Sequence, residues 1–221
     1  MSTRAQHPRV ELVAVAQALD AAGLMPNKSG NVSVRTPQGF AITPAGTPYA
    51  ELTPESIVEI GDTPGFPADE PGVSPSSRPS SEWRMHAAIY RAGPQVGAIV
   101  HTHSPKATAL ACAGLGIPPF HYMIALAGGD VRCMPYATFG TAELAAHAVR
   151  GLVGRRATLL ANHGVVATGP TLAVARAVAL EIENLAGQWL TLRAAGLEPK
   201  LLDATELARV IERFADYGRL G

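Results

Sequence analysis

An α+β fold, in which helices cover one sheet, is the architecture this sequence predicts. Short alternating segments near the N-terminus, separated by Gly, Pro and Asn, read as antiparallel strands with tight turns. Segments of helical periodicity flank them. Strands and helices interleave without the regular βαβ alternation of a doubly wound sheet, and no internal repeat is present. A chain of 221 residues can bury a sizeable core. Its composition does not shift along its length, so residues 1–221 are expected to form a single domain.

Each element has its own signal. Val10, Leu12, Val13, Ala16 and Leu19 recur at helical spacing between Pro8 and Ala22, with Pro8 suited to a first turn and Gly23 to a C-cap. Asn31–Thr36, Phe40–Thr43 and Ile57–Ile60 read as strands. Thr63–Pro79 is rich in proline, glycine and serine, which oppose both helix and ladder pairing, and reads as an exposed loop. Beyond it, Ser80–Ala92 is helical and Ala98–His103 is a strand. Thr141–Val153 is again helical, and Thr158–Thr168 forms one strand or a hairpin arm. Thr171–Ala195 is a long helix closed by Gly196, and a last helix follows Asp203, whose spacing to Glu206 resembles a capping box.

Charge excludes several partners. Lys plus Arg equal Asp plus Glu at 18 each, so no basic field attracts nucleic acid and no polybasic tract attracts a membrane. A small-molecule partner is expected. The polar start from Met1 to Pro8 lacks the apolar run of a signal peptide, and no apolar stretch approaches a membrane span, so a cytoplasmic location is expected. Cys112 and Cys133 have no metal-binding spacing and read as buried small apolar residues in a reducing compartment.

Chemistry concentrates at a few places. In His101-Thr102-His103 the imidazoles lie two apart on a strand and point to one face of the sheet. His163 lies in a second apolar stretch, Leu159–Val166, read as a strand ending beside Gly164. Three histidines with an open fourth position make a catalytic zinc site, although the same spacings also suit hydrogen-bonded core histidines. Pro79-Ser80-Ser81-Glu82 places two hydroxyls and a carboxylate at a helix N-terminus, which suits either an anion or an ordinary serine cap. Ser29-Gly30-Asn31 and Thr43-Pro44-Ala45-Gly46 are glycine turns, serving either as hairpin turns or as backbone donors to an anion.

Taken in order, Ser29-Gly30-Asn31-Val32-Ser33-Val34-Arg35, Ile42-Thr43-Pro44-Ala45-Gly46, Pro79-Ser80-Ser81-Glu82, His101-Thr102-His103 and Asn162-His163-Gly164 resemble the class II aldolase/adducin family across nearly the whole chain. His121-Tyr122-Met123-Ile124-Ala125, Gly128-Gly129 and Pro135-Tyr136-Ala137-Thr138-Phe139-Gly140-Thr141 look like the branch of that family acting on L-fuculose 1-phosphate. The resemblance implies a three-layer α/β/α sandwich around a largely antiparallel sheet. It also implies a homotetramer with active sites between subunits.

Carried over by position, His101, His103 and His163 would ligate zinc, one ion per subunit. Glu82 would be its fourth ligand at rest and the proton shuttle in turnover. Asn31, Gly46, Ser80 and Ser81 would hold the substrate phosphate. A tyrosine, Tyr122 or Tyr217, would serve the C4 hydroxyl in retro-aldol cleavage of a ketose 1-phosphate. L-fuculose, 5-deoxyribulose and methylthioribulose 1-phosphates are the expected substrates. Ala45 departs from the hydroxyl residue common before the phosphate-turn glycine, and the Pro-rich loop departs from a short hairpin. Epimerases of the family typically carry Asp at the Glu82 position, while dehydratases and decarboxylases share a similar zinc site. Adducin-like interaction modules have lost the site.

Overall fold

The computed structural model describes residues 3–61 and 78–217, with the side chains of residues 8–61 and 78–214. In chain order the regular elements are α1 (Thr3–Ala21), β1 (Asn31–Thr36), β2 (Gly39–Ile42), β3 (Val58–Gly61), α2 (Trp83–Ala92), β4 (Ala98–Thr102) and α3 (Pro105–Cys112). They continue with β5 (Arg132–Met134), α4 (Ala142–Gly151), β6 (Ala157–Leu160), β7 (Gly164–Gly169), α5 (Leu172–Ala194) and α6 (Ala204–Tyr217). The strands form one seven-stranded sheet in the order β3-β2-β1-β4-β7-β6-β5. Every pairing is antiparallel except β5 with β6.

Alternation along the central strands explains the layers, because successive side chains point to opposite faces. Ala98, Val100, Leu159, Val165 and Ala167 share a core with Leu12 and Leu19 of α1, Leu110 of α3, and Val178 and Ile182 of α5. Ile99, Leu160 and Val166 face the other way, into a core with Met85 and Ile89 of α2 and Leu144 and Ala148 of α4. With both faces covered, β4, β6 and β7 have no exposed side and read as continuous apolar runs. The result is the expected mixed α/β sandwich with helices on both sides of a largely antiparallel sheet.

Several elements differ from the sequence expectation. The first helix begins at Thr3, and Pro8 lies inside it, where the missing N–H removes one bond of the helical ladder. Thr158–Thr168 is a complete hairpin, and His163 sits in its turn beside Asn162, a non-glycine residue at φ 55°, not within a strand. The helix after Pro79 starts at Trp83 with Glu82 at its N-cap, so Ser80 and Ser81 belong to the preceding turn. Gly30 leads into β1 and Gly46 follows β2 through a bend, so neither glycine closes a hairpin. Cys112 is exposed and Cys133 only half-buried; both thiols are free. The Pro-rich stretch lies outside the described residues as far as Ser77. None of the described helices is long and apolar enough to cross a membrane.

Candidate metal centre and active site

Strand parity builds the floor of the site. In β1, Asn31 and Ser33 face α2, while Val32 between them enters the opposite core. Asn31 pairs directly with His101 of β4, so their side chains are neighbours on one face. Gly30 allows this approach. A Cβ there would lie 2.6 Å from the His101 carbonyl oxygen, and its φ of 99° is one that side chains rarely adopt. His103 continues the His101 parity just past the end of β4, and the β6–β7 turn delivers His163 to the same point.

Glu82 descends onto these histidines from the start of α2. Its Oε2 lies 2.9 Å from His101 Nε2 and its Oε1 lies 3.1 Å from His163 Nε2, while His101 Nε2 and His103 Nε2 are 3.1 Å apart. One ligand atom from each of the four residues fits within 4.8 Å of all the others. The His101 Nδ1–H donates to the Val165 carbonyl at 2.8 Å, which leaves the Nε2 lone pair directed at the centre. Glu82 Oε1 is buried, and among the described residues it lacks an aligned hydrogen-bond partner. Converging lone pairs with an orphaned carboxylate oxygen are a poor arrangement by themselves and fit a bound cation well.

The electrostatics agree. Burial opposes ionisation of Glu82, yet its interactions with His101 and His163 outweigh burial and hold its carboxyl far below the usual carboxylate range. Burial likewise disfavours a charged His101, but Glu82 and the Val165 carbonyl raise its pKa. His103 is pushed down to about 3 by burial and then by the neighbouring His101 and His163 charges. The neutral His103 imidazole keeps a lone pair for a metal ion.

A cavity of about 410 Å³ opens above this cluster. An isolated bridge between Pro44 and Pro79 pins its two turns together, with Ala45 N–H donating to Arg78 O and Ser80 N–H to Thr43 O. Those two backbone donors are therefore consumed within the protein. Gly46, Ser80, Ser81 and Asn31 nevertheless line this one cavity. The Asn31 side-chain amide donates to Glu82 Oε2 at 3.0 Å.

The sequence profile of the Class II Aldolase and Adducin N-terminal domain matches residues 10–190. The chain belongs to this family. It is 49% identical over 210 residues to a 5-methylthioribulose-1-phosphate/5-deoxyribulose-1-phosphate aldolase of Rhodospirillum rubrum, covering 94% of this chain and 90% of that protein. It is 44% identical to the L-fuculose phosphate aldolase of Escherichia coli K12, covering 89% and 88%. A solved L-fuculose 1-phosphate aldolase superposes with a TM-score of 0.88 at 36% identity, covering 97% and 98% of the two chains. The chain is thus an enzyme of the aldolase type, a lyase.

Within this class II aldolase fold, Glu82, His101, His103 and His163 come together, and Asn31, Gly46, Ser80 and Ser81 line the same cavity. Tyr122 does not. It is 53% exposed, lies outside the residues lining the cavity, and stacks on Phe214 of α6 with ring centroids 6.3 Å apart. The α6 backbone ends at Tyr217, whose side chain lies outside the described residues. Lys28, Tyr136, Phe139 and Asn162 also line the cavity and had been given no role. Tyr136, Phe139 and Asn162 lie inside motifs quoted for the family resemblance, and Lys28 directly precedes one.

Proposed function

We propose that this chain is a zinc-dependent class II aldolase that cleaves a ketose 1-phosphate to dihydroxyacetone phosphate and an aldehyde, the whole chain forming one catalytic domain. The observation that carries this reading is the convergence of Glu82 with three histidines at the floor of a cavity walled by Gly46, Ser80 and Ser81. The 49% identity to the Rhodospirillum rubrum enzyme supports 5-deoxyribulose and 5-methylthioribulose 1-phosphates as first substrates, ahead of L-fuculose 1-phosphate. Free Cys112 and Cys133 fit a reducing, cytoplasmic location.

His101, His103 and His163 would hold the zinc with Glu82 as fourth ligand at rest, and the bound ion supplies an electrophile for the ketose oxygens. Ser80, Ser81, Asn31 and the Gly46 backbone hold the phosphate and so fix which carbon faces Glu82. Removal of the C4 hydroxyl proton turns that oxygen into the aldehyde carbonyl as the C3–C4 bond breaks. The bonding pair stays with the three-carbon phosphate as an enediolate, and Glu82 delivers a proton to its C3. Tyr122 or Tyr217 from a neighbouring copy of the chain takes the C4 hydroxyl proton, in a homotetramer.

The test is dihydroxyacetone phosphate release from a panel of ketose 1-phosphates by protein of measured zinc content. Activity that vanishes on chelation and returns with zinc is expected. A folded, zinc-loaded protein that releases no dihydroxyacetone phosphate and instead forms an epimer, water or carbon dioxide would move the reading to another reaction of the family.

A further inference from the structure

Behind the metal cluster, Glu82 and Asn31 lead into a buried polar chain of His86, Ser33 and Tyr90 that the proposed reaction does not use. Glu82, His86 and Tyr90 are four apart and form one stripe along α2, while Asn31, Ser33 and Arg35 are two apart along β1. Four residues of helix rise about 6 Å and two residues of strand about 6.6 Å. The stripes therefore stay in step. Asn31 Nδ2 meets Glu82 Oε2 at 3.0 Å and Asn31 Oδ1 meets His86 Nε2 at 2.5 Å. His86 Nδ1 meets Ser33 Oγ at 2.7 Å, and Ser33 Oγ meets the Tyr90 hydroxyl at 2.9 Å. The Arg35 guanidinium lies 4.7 Å over the Tyr90 ring and donates to the Tyr90 carbonyl, closing the far end.

We propose that His86 is a positioning residue for the reaction, acting through Asn31 to fix the carboxylate of Glu82; the proposal rests on the aldolase reading of this site. Donor and acceptor types allow one direction of bonding. An ionised Glu82 can only accept, so Asn31 presents its NH₂ to it and its oxygen to His86. His86 must then carry its proton on Nε2 and accept at Nδ1 from the Ser33 hydroxyl, which in turn accepts from Tyr90. Full burial holds His86 neutral, its pKa pushed to about 3 by desolvation first and by His101 second.

An amide carries two N–H hydrogens, and the bond to Glu82 uses one. Asn31 also lines the cavity. The second hydrogen is thus the group by which Asn31 reaches the substrate phosphate, so one amide serves phosphate and carboxylate together. Without the His86 donor the Asn31 carbonyl loses its anchor, and the bond to Glu82 alone has to hold the amide in the orientation that serves both groups.

Two measurements on the zinc-loaded protein test this. In ¹⁵N spectra of histidine-labelled protein, His86 is expected as the neutral Nε2–H tautomer at pH 7; an Nδ1–H tautomer overturns the proposal whatever the enzyme's substrate. In kinetics, His86→Leu should lower kcat by about 10- to 100-fold at unchanged zinc content, the range typical of residues that orient a metal ligand. His86→Gln, whose amide can donate from the Nε2 position, should recover most of the loss. Asn31→Ala with His86→Leu should be no slower than Asn31→Ala alone, because His86 acts through that amide. Additive losses, or a His86→Leu enzyme at wild-type kcat, overturn it. If His86→Leu does not fold, Ser33→Ala replaces it in the same cycle. Absence of aldolase activity in a protein with the Nε2–H tautomer would sink the aldolase reading instead.

Discussion

In the proposed reaction Glu82 has two duties, metal ligand and proton carrier, that an amide would separate. Glutamine has nearly the same shape but cannot move a proton, so Glu82→Gln is expected to keep the fold and most substrate affinity while kcat drops by about 10²- to 10⁴-fold. Steady-state kinetics alongside a zinc determination checks this, and a near-wild-type turnover number removes Glu82 from the proton-transfer role. Gly164 shows how tightly the centre is built. A Cβ there would lie 2.4 Å from the Thr102 carbonyl oxygen, between the strand end carrying His103 and the turn carrying His163. Gly164→Ala must push these segments apart, at a cost of about 1–3 kcal/mol, and should weaken zinc binding as well. A thermal melt and a zinc titration would both have to change; an altered melt with native zinc affinity would show that strain stays out of the centre. Ala45 faces the cavity with its N–H already used on Arg78. Ala45→Ser adds a hydroxyl worth about 1 kcal/mol, so KM for a phosphorylated ketose should fall by less than about tenfold, and an unchanged KM would place the phosphate elsewhere.

The pairing of α2 with β1 was half legible. Period-two alternation in Asn31–Thr36 announced β1, and helical spacing after Pro79 announced α2, although the helix starts at Trp83 with Ser80 and Ser81 in the turn before it. That Glu82 and His86 share a stripe followed from their spacing, but which strand they would meet depended on the pairing of β1 with β4, a contact no local pattern encodes. Other elements were illegible for plainer reasons: β5 has three residues, and α3 is an alanine-rich segment with little contrast between its faces. The hairpin turn at Asn162 was hidden because β6 and β7 are buried on both faces and blur into one apolar run. The α2 interior also sets an acid response. In the unfolded chain the His86 imidazole takes a proton near 6.5, whereas in the fold it stays neutral down to about 3. Between those values the unfolded state binds more protons, so stability falls as pH falls through that window and is unaffected by this group above it. His86→Gln removes the group. Its stability should fall less steeply between pH 6 and 4, by about 1.4 kcal/mol per pH unit, in urea unfolding of metal-free samples of both proteins; parallel curves would assign the acid response to other histidines.

At the scale of the whole molecule, the sheet and its covering helices were readable because hydrophobic periodicity reports burial directly, and the neighbourhood of His101 and His103 because strand parity brings both to one face. What periodicity cannot report is a surface that works only in company. Tyr122 stands 53% exposed, yet its ring lies against Phe214 of α6 with planes 18° apart. Exposed aromatics held in place by packing suit a role toward another surface. The same chain's cavity, walled by the exposed rings of Tyr136 and Phe139, is lined by no described residue of the Tyr122 segment or of α6. A homotetramer in which this aromatic pair closes the cavity of an adjacent copy would reconcile the two halves. Glu82 and Tyr122 would then serve one reaction from different chains. Each of Glu82→Gln and Tyr122→Phe should be nearly inactive alone, and mixing them under conditions of subunit exchange should restore activity, because some interfaces regain both native residues. The measurement is dihydroxyacetone phosphate release before and after mixing, with exchange verified by mass spectrometry. A monomer in sedimentation, or exchange without recovery between two inactive parents, would place both residues' action within a single chain and leave Tyr122 a packing residue of α6.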